Sequence, residues 1–316
     1  MERRQFIAHG LGALAASAAW RVSPAAGLRA SERAAGIRFG YAAITWGGDD
    51  RRAIDDIASV GFRGIQLRAS AFAEWGERPG ELADLLAARN LTFVALSSGV
   101  VRIDPAAEAE TLDEHVRHAR FLREAGGLYL QVMDERPRGR EITADDYRRM
   151  GGLLTELGRR TADLGIPLGY HNHMGNLGQA PDEVSRVLDA ADSRFVKLEL
   201  DMAHYRQAGG DPVRAVSEYA DRLLFLHVKD LESPVPGEGP GSYRFVELGR
   251  GAVDLPAFFD ALDRVSFDGW AIVELDRVVT PETTPKDAAI VARDYIQQTL
   301  GLSIDVAAPM EHDAPA

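Results

Sequence analysis

The chain contains no cysteine. Thiolate catalysis, cysteine-bound zinc, iron–sulfur clusters and disulfides are thereby excluded, and any metal must rest on His, Asp or Glu. The lack also suits an oxidising compartment, where a stray thiol is a liability. Nor is there an excess of positive charge: 36 Lys and Arg stand against 48 Asp and Glu, for a net −12 over 316 residues. The bases are scattered among the acids, so the basic stripe of a nucleic-acid partner is missing. Acidity of this size mainly favours solubility. No apolar run is long enough for a stable membrane span. The first apolar strand ends in Ala43-Ile44-Thr45-Trp46-Gly47-Gly48, without the Gly-x-Gly-x-x-Gly loop that a doubly wound nucleotide-binding sheet usually carries there.

What the chain does have is a 46 % apolar fraction, enough for a large core. At the N-terminus, Glu2-Arg3-Arg4-Gln5-Phe6-Ile7 places two arginines before a weakly hydrophobic, alanine-rich stretch. The small residues Ser23-Pro24-Ala25-Ala26-Gly27 then offer a cleavage region. Residues 1–36 are therefore expected to be a twin-arginine export signal, with a periplasmic mature protein. A catalytic domain is expected over 37–302 and a flexible tail, rich in Ala and Pro, over 303–316.

From residue 37 onward, short β-branched or apolar runs alternate with longer amphipathic stretches. Strands are predicted at 37–42, 64–67, 92–96, 129–133, 168–171, 195–200, 223–228 and 270–274. Helices are predicted at 51–60, 81–89, 106–124, 143–164, 180–190, 211–220, 255–265 and 286–300. This alternation implies right-handed βαβ units and a parallel sheet. Eight units in one domain of this length predict a (β/α)8 TIM barrel, with an open doubly wound sheet as the competitor.

In such a barrel, function gathers where the strands end. The fifth predicted strand runs into Tyr170-His171-Asn172-His173-Met174-Gly175, and histidines two apart on a strand share a face. The sixth reads Leu198-Glu199-Leu200-Asp201-Met202-Ala203-His204, the seventh Phe225-Leu226-His227-Val228-Lys229-Asp230, and the eighth Ile272-Val273-Glu274-Leu275-Asp276. A single Asp after a strand is often a helix cap, and Asp230 and Asp276 are open to that reading. Four successive strands ending in His or carboxylate point instead to a converging metal site. The expected ligands are His171, Asp201, His227 and Glu274, with His173 able to replace His171. Nitrogen and oxygen ligands without sulfur suit one divalent ion. Mn2+ is the first expectation, with Co2+, Fe2+, Zn2+ or, less well, Mg2+ as alternatives. His9, His115, His118 and His312 fall away from strand ends and are expected to be inert.

At these residues the chain resembles the xylose-isomerase-like TIM-barrel superfamily of sugar isomerases, epimerases and dehydratases, over about 37–300. The Asp-x-x-His of Asp201 and His204, the His-x-Lys-Asp of His227, Lys229 and Asp230, and the metal-binding Glu274 carry the resemblance. The loop Leu248-Gly249-Arg250-Gly251-Ala252-Val253-Asp254 is similar to the superfamily's Gly-x-Gly-x-x-Asp element. The branch most resembled is inosose dehydratase, through 170–175 and 201–212. The resemblance implies proton abstraction next to a carbonyl, with a metal ion stabilising the enediolate. Two positions depart from the pattern: His171 stands where a Glu is usual, and Gln66 where relatives commonly carry Glu. An export signal also sits badly with cytoplasmic inositol breakdown, and exported relatives are associated with oxidised sugars such as 3-keto-glycosides.

Two-face epimerisation in the superfamily uses paired carboxylates on strands five and eight. Without the first of them, elimination from a keto-sugar or keto-cyclitol is the favoured reaction. His173 or His171 is expected as base, and Lys229 or His204 as helper to the leaving group or substrate oxygens. Trp46, Gln66, Glu247 and Arg250 are the candidate substrate contacts, with rim packing the alternative for Trp46 and a surface ion pair the alternative for Glu247 and Arg250. An isomerase or epimerase and a non-catalytic sugar-binding protein are the competing functions. The expected partner is a small carbohydrate, with homo-oligomerisation left open.

Overall fold

The computed structural model describes residues 36–305. The twin-arginine segment therefore lies outside the described residues, apart from Gly36. Eight parallel strands close into a barrel: β1 (Ile37–Ala42), β2 (Gly64–Arg68), β3 (Thr92–Val101), β4 (Tyr129–Asp134), β5 (Leu168–His171), β6 (Val196–Asp201), β7 (Leu223–Val228) and β10 (Gly269–Val273). Each pairs with its neighbour in sequence, and β1 closes on β10 through the register Ile37↔Gly269 to Tyr41↔Val273. Two short antiparallel strands, β8 (Asp230–Glu232) and β9 (Arg244–Val246), form a separate ribbon after β7 that the periodicity did not reveal.

Every predicted strand and helix is present within a few residues. The connecting helices bury one apolar face, as Ile54 and Ile57 do in Asp50–Val60. Proline at the first turn starts the helices Pro79–Ala87, Pro181–Ala190, Pro212–Glu218 and Pro285–Gln298, where its missing N–H costs nothing. Two short helices, Ser70–Trp75 and Met202–Gln207, were not expected. The core also runs past the expected domain end: Ile304 is buried and Asp305 pairs with Arg63.

The barrel interior is layered. Phe225, Trp270 and Ile272 form a small apolar plug with Ala42, Val94 and Ala95. Glycine makes room for it, since a Cβ on Gly64 would lie 2.5 Å from the Trp270 ring. Further towards the strand ends, His227 follows Phe225 on β7, and Gln66, Gln131, Glu199 and Asp201 join it from β2, β4 and β6, all buried. On β7, period two thus puts an apolar plug residue and a polar one on the same inner face. Among the described residues no helix is long and apolar enough to cross a membrane.

Candidate metal centre and active-site cavity

Gln66, Gln131 and His227 of this polar layer line a cavity of about 550 Å³ that opens where the strands end, with Glu199 and Asp201 buried beside them. Register brings its residues together: His171 on β5 pairs with Glu199 on β6, and Asp201 on β6 with His227 on β7. Asn172 locks the end of β6, because its side chain accepts from Asp201 N (2.9 Å) and donates to Asp201 O (3.1 Å). Asp201 then starts the helix Met202–Gln207. Its Oδ1 accepts from the backbone of Ala203 and His204, and its Oδ2 is left free to face the site.

His227 is the hub. Its Nε2 lies 2.9 Å from Gln66 Oε1, 2.6 Å from Glu199 Oε1 and 3.2 Å from Glu274 Oε2. Those acceptors hold the proton on Nε2 and turn Nδ1 towards Asp201 Oδ2, 3.6 Å away. Glu199 Oε2 lies 3.7 Å from His171 Nδ1. Lys229 is fully buried and its Nζ donates to Glu274 Oε1 (2.8 Å) and Asp276 Oδ1 (2.7 Å), with Phe245 stacked 4.0 Å above it.

These contacts leave polar atoms unspent. His171 Nδ1, Glu199 Oε2, Asp201 Oδ2, His204 Nε2 and His227 Nδ1 are buried without a hydrogen-bond partner. Orphans of this kind are rare in folded proteins and usually face an ion or water. Ligand atoms of His171, Asp201 and His227 all lie within 4.8 Å of one another. The carboxylates of Asp201, Glu274 and Asp276 surround a single lysine, an excess of negative charge that suits a cation. The donor set therefore fits a divalent ion bound by two imidazoles and a carboxylate.

A match to the family described as xylose isomerase-like TIM barrel covers residues 54–297. The chain belongs to that family. Among its relatives, an inosose dehydratase of Lacticaseibacillus casei is 26% identical over 302 residues, covering 84% of this chain and 98% of the relative. Two solved structures are similar in fold. The IolI protein, with a binding zinc atom, has a TM-score of 0.71 at 17% identity, covering 84% of this chain and 98% of that one. An L-ribulose 3-epimerase has a TM-score of 0.68 at 20% identity, with 84% and 95% covered.

Within this xylose isomerase-like barrel, the candidate residues divide. His171, Asp201 and His227 converge as expected, whereas Glu274 turns one oxygen to Lys229. His173 and Gln66 line the cavity, and His204 packs against His173 with ring centroids 3.9 Å apart. Three expected substrate contacts do not line it. Trp46 is buried edge-on against Tyr41 and donates to Asp56 Oδ2 at 3.0 Å, so it packs the rim. Glu247 and Arg250 pair with each other at 3.3 Å away from the cavity lining.

Asp230 is not a helix cap. Its carboxylate accepts from the backbone N–H groups of Leu231, Gly249, Gly251 and Val253, clasping the glycine loop. Gly251 is required there, since a Cβ would lie 2.1 Å from Asp230 Oδ1. Asp134 clasps the loop after β5 in the same way, accepting from Leu177 N, Gly178 N and Tyr170 Oη.

Glu199 is a site residue that no motif singles out. It is fully buried between Leu198 and Leu200, yet stands two residues before Asp201 on one strand face, and that spacing is its signal. Burial pushes its carboxyl up to about 7, against the pull of His227. Burial works against charge on His227 too, but the Glu199 and Glu274 carboxylates outweigh it and hold the imidazole well above its ordinary range. Burial likewise opposes charge on Lys229 and is outweighed by Glu274, Asp201 and Asp276, which keep the ammonium charged.

Proposed function

We propose that this protein is a metal-dependent lyase that removes a β-substituent from a keto-sugar or keto-cyclitol. The observation that carries the reading is the one-sidedness of the cavity. Its groups able to take a proton, His171, His173, His227, Glu274 and Asp276, all come from the β5–β10 side. The facing wall offers Gln66, Arg68, Ser97 and Gln131, none of which is a base near neutral pH. Epimerisation needs proton transfer on two opposite faces of one carbon. Elimination needs only one.

His173 is the better-placed base. Its Nδ1 donates to Met174 O at 2.7 Å, which leaves the Nε2 lone pair for the substrate. The step takes the proton from the carbon beside the carbonyl to Nε2. The C–H electron pair becomes the new C=C bond as the β-carbon–oxygen bond breaks. The substituent leaves with that bond's electrons and takes a proton from water, to which His173 gives up its own, so that water or an alcohol is released and His173 is neutral again. His171, Asp201 and His227 would hold the ion, with Glu274 beside them, and Mn2+ is the ion we favour for this mixed set. Bound there, a divalent ion supplies Lewis acidity to the oxygens of an α-hydroxyketone. Glu199 acts behind His227, fixing its tautomer, and Lys229 is a permanent positive charge at the same wall. The similarity to a named inosose dehydratase supports a carbocyclic or sugar ketone as substrate.

Incubating the Mn2+-loaded enzyme with inososes and 3-keto-glycosides tests the reading through the ultraviolet absorbance of the product. An unsaturated ketone is expected; a substrate panel that yields only stereoisomers would refute elimination. We further propose that residues 1–36 direct export. Replacing Arg3 and Arg4 by lysine in a reporter fusion should hold the reporter in the cytoplasm, and unchanged export would reject that assignment.

A further inference from the structure

A second set of ligand atoms shares His171 with the first. Atoms of His171, His173 and His204 also lie within 4.8 Å of one another. The ring centroids are 5.7 Å apart for His171–His173, 5.9 Å for His171–His204 and 3.9 Å for His173–His204. His171 and His204 are only 3 % and 2 % exposed, and His171 Nδ1 and His204 Nε2 have no partner. His173 is already polarised as a ligand, since Met174 O takes its Nδ1 proton and so presents Nε2. A backbone carbonyl behind a ligating histidine is the usual outer support of a metal site.

We infer that His171, His173 and His204 form a second cation position, made of imidazole alone, that takes Zn2+ and shuts the enzyme down. The two positions differ in chemistry. The inner one is built on the carboxylate of Asp201, which suits oxygen-seeking ions, whereas the outer one is built on three nitrogens, with Asp201 Oδ2 only at its edge, 3.9 Å from His204 Nε2. Three histidines with a position left for water or substrate are a familiar zinc set. A neutral imidazole has one lone pair, so His171 serves one position at a time and the two ions compete. Binding at His204 Nε2 moves that ring's proton to Nδ1, at the expense of the long 3.3 Å contact from Met174 N. An ion held outside also takes the Nε2 lone pair of His173, so the inhibitory half of the inference rests on His173 being the base. The binding half does not.

The test is calorimetric titration of the full-length, metal-free chain with Zn2+ and separately with Mn2+, supported by the visible absorption of bound Co2+. His173→Gln and His204→Gln should each weaken Zn2+ binding about 10- to 100-fold while Mn2+ binding persists. Asp201→Asn should weaken Mn2+ binding more than Zn2+ binding. Co2+ at the outer position should lose its intense visible band in either histidine variant. Thermal unfolding of each variant shows whether it is folded, and either histidine variant alone suffices. The inference is overturned if the wild-type chain binds no Zn2+, or if Asp201→Asn abolishes Zn2+ binding while both histidine variants keep it. Zn2+ added to the Mn2+-loaded enzyme should inhibit turnover. Absent turnover would count against the proposed lyase reaction, and the binding pattern would still decide the site.

Discussion

Strands β1 to β4 reach the cavity with Ala42, Gln66, Ser97 and Gln131, whereas β5, β7 and the residue after β10 bring His171, His227 and Glu274, with Glu199 and Asp201 of β6 buried behind them. Both halves use the same inner face of the same kind of strand. One half offers neutral hydrogen-bonding groups and a single cation, Arg68; the other concentrates titratable groups and the unspent ligand atoms. Gln66 ties the halves together. Its Oε1 accepts from His227 while its Nε2 reaches Gln131 Oε1 at 3.4 Å. Under the proposed reaction, this division means that one wall would hold the substrate while the other reacts with it, on one face.

The largest expected effect is on the reacting wall. His173→Gln should lower kcat by about 10²- to 10⁴-fold, as loss of a general base does. Steady-state kinetics would break the comparison if His173→Gln kept full activity and a wall variant such as Gln131→Ala did not. Glu199→Gln comes next. It should weaken binding of the inner ion by about 10- to 100-fold, because the carboxylate that orients His227 is lost. Calorimetry with Mn2+ reads this, and unchanged affinity would reduce Glu199 to a packing residue.

On the facing wall, Arg68→Ala should raise KM by about tenfold with kcat little changed, the pattern of lost uniform binding. A fall in kcat alone would mean that this wall takes part in the chemistry. Further from the site, Ser98 Oγ lies 2.6 Å from His115 Nδ1 and 2.8 Å from His118 Nδ1. Burial pushes His115 down to about 4 and lowers His118 as well. The unfolded chain therefore takes up these protons first. Stability should be complete above the ordinary histidine range and decline as pH falls from about 6.5 towards 4. Melting temperatures across that window should show the decline, with a shallower slope in His115→Phe. The smallest effect is expected for Trp46→Phe, which should change kcat/KM less than about threefold, because the loss is one rim hydrogen bond and its packing.

The barrel is legible in the sequence because each strand is a short apolar run bounded by glycine or a helix end, and each helix repeats its apolar face. The metal cluster is legible because His171, Asp201 and His227 sit at the exits of three successive strands. Glu199 is not, since a carboxylate within an apolar run reveals its direction only once β6 is in register with β5 and β7. The role of Asp230 is hidden for a related reason: its partners are backbone N–H groups up to 23 residues away, which no side-chain pattern records. Trp46 shows the converse. A strand end places the residue at the rim, but its rotamer, fixed by Tyr41 and Asp56, decides that it packs.

The central claim, reaction from one wall, is tested most directly by partial turnover in D2O, with both product and recovered substrate analysed by NMR. The account predicts an unsaturated ketone and recovered substrate of unchanged configuration. Recovered substrate deuterated at the carbon beside the carbonyl with inverted configuration would contradict it, because that outcome needs a proton donor on the wall of Gln66, Ser97 and Gln131.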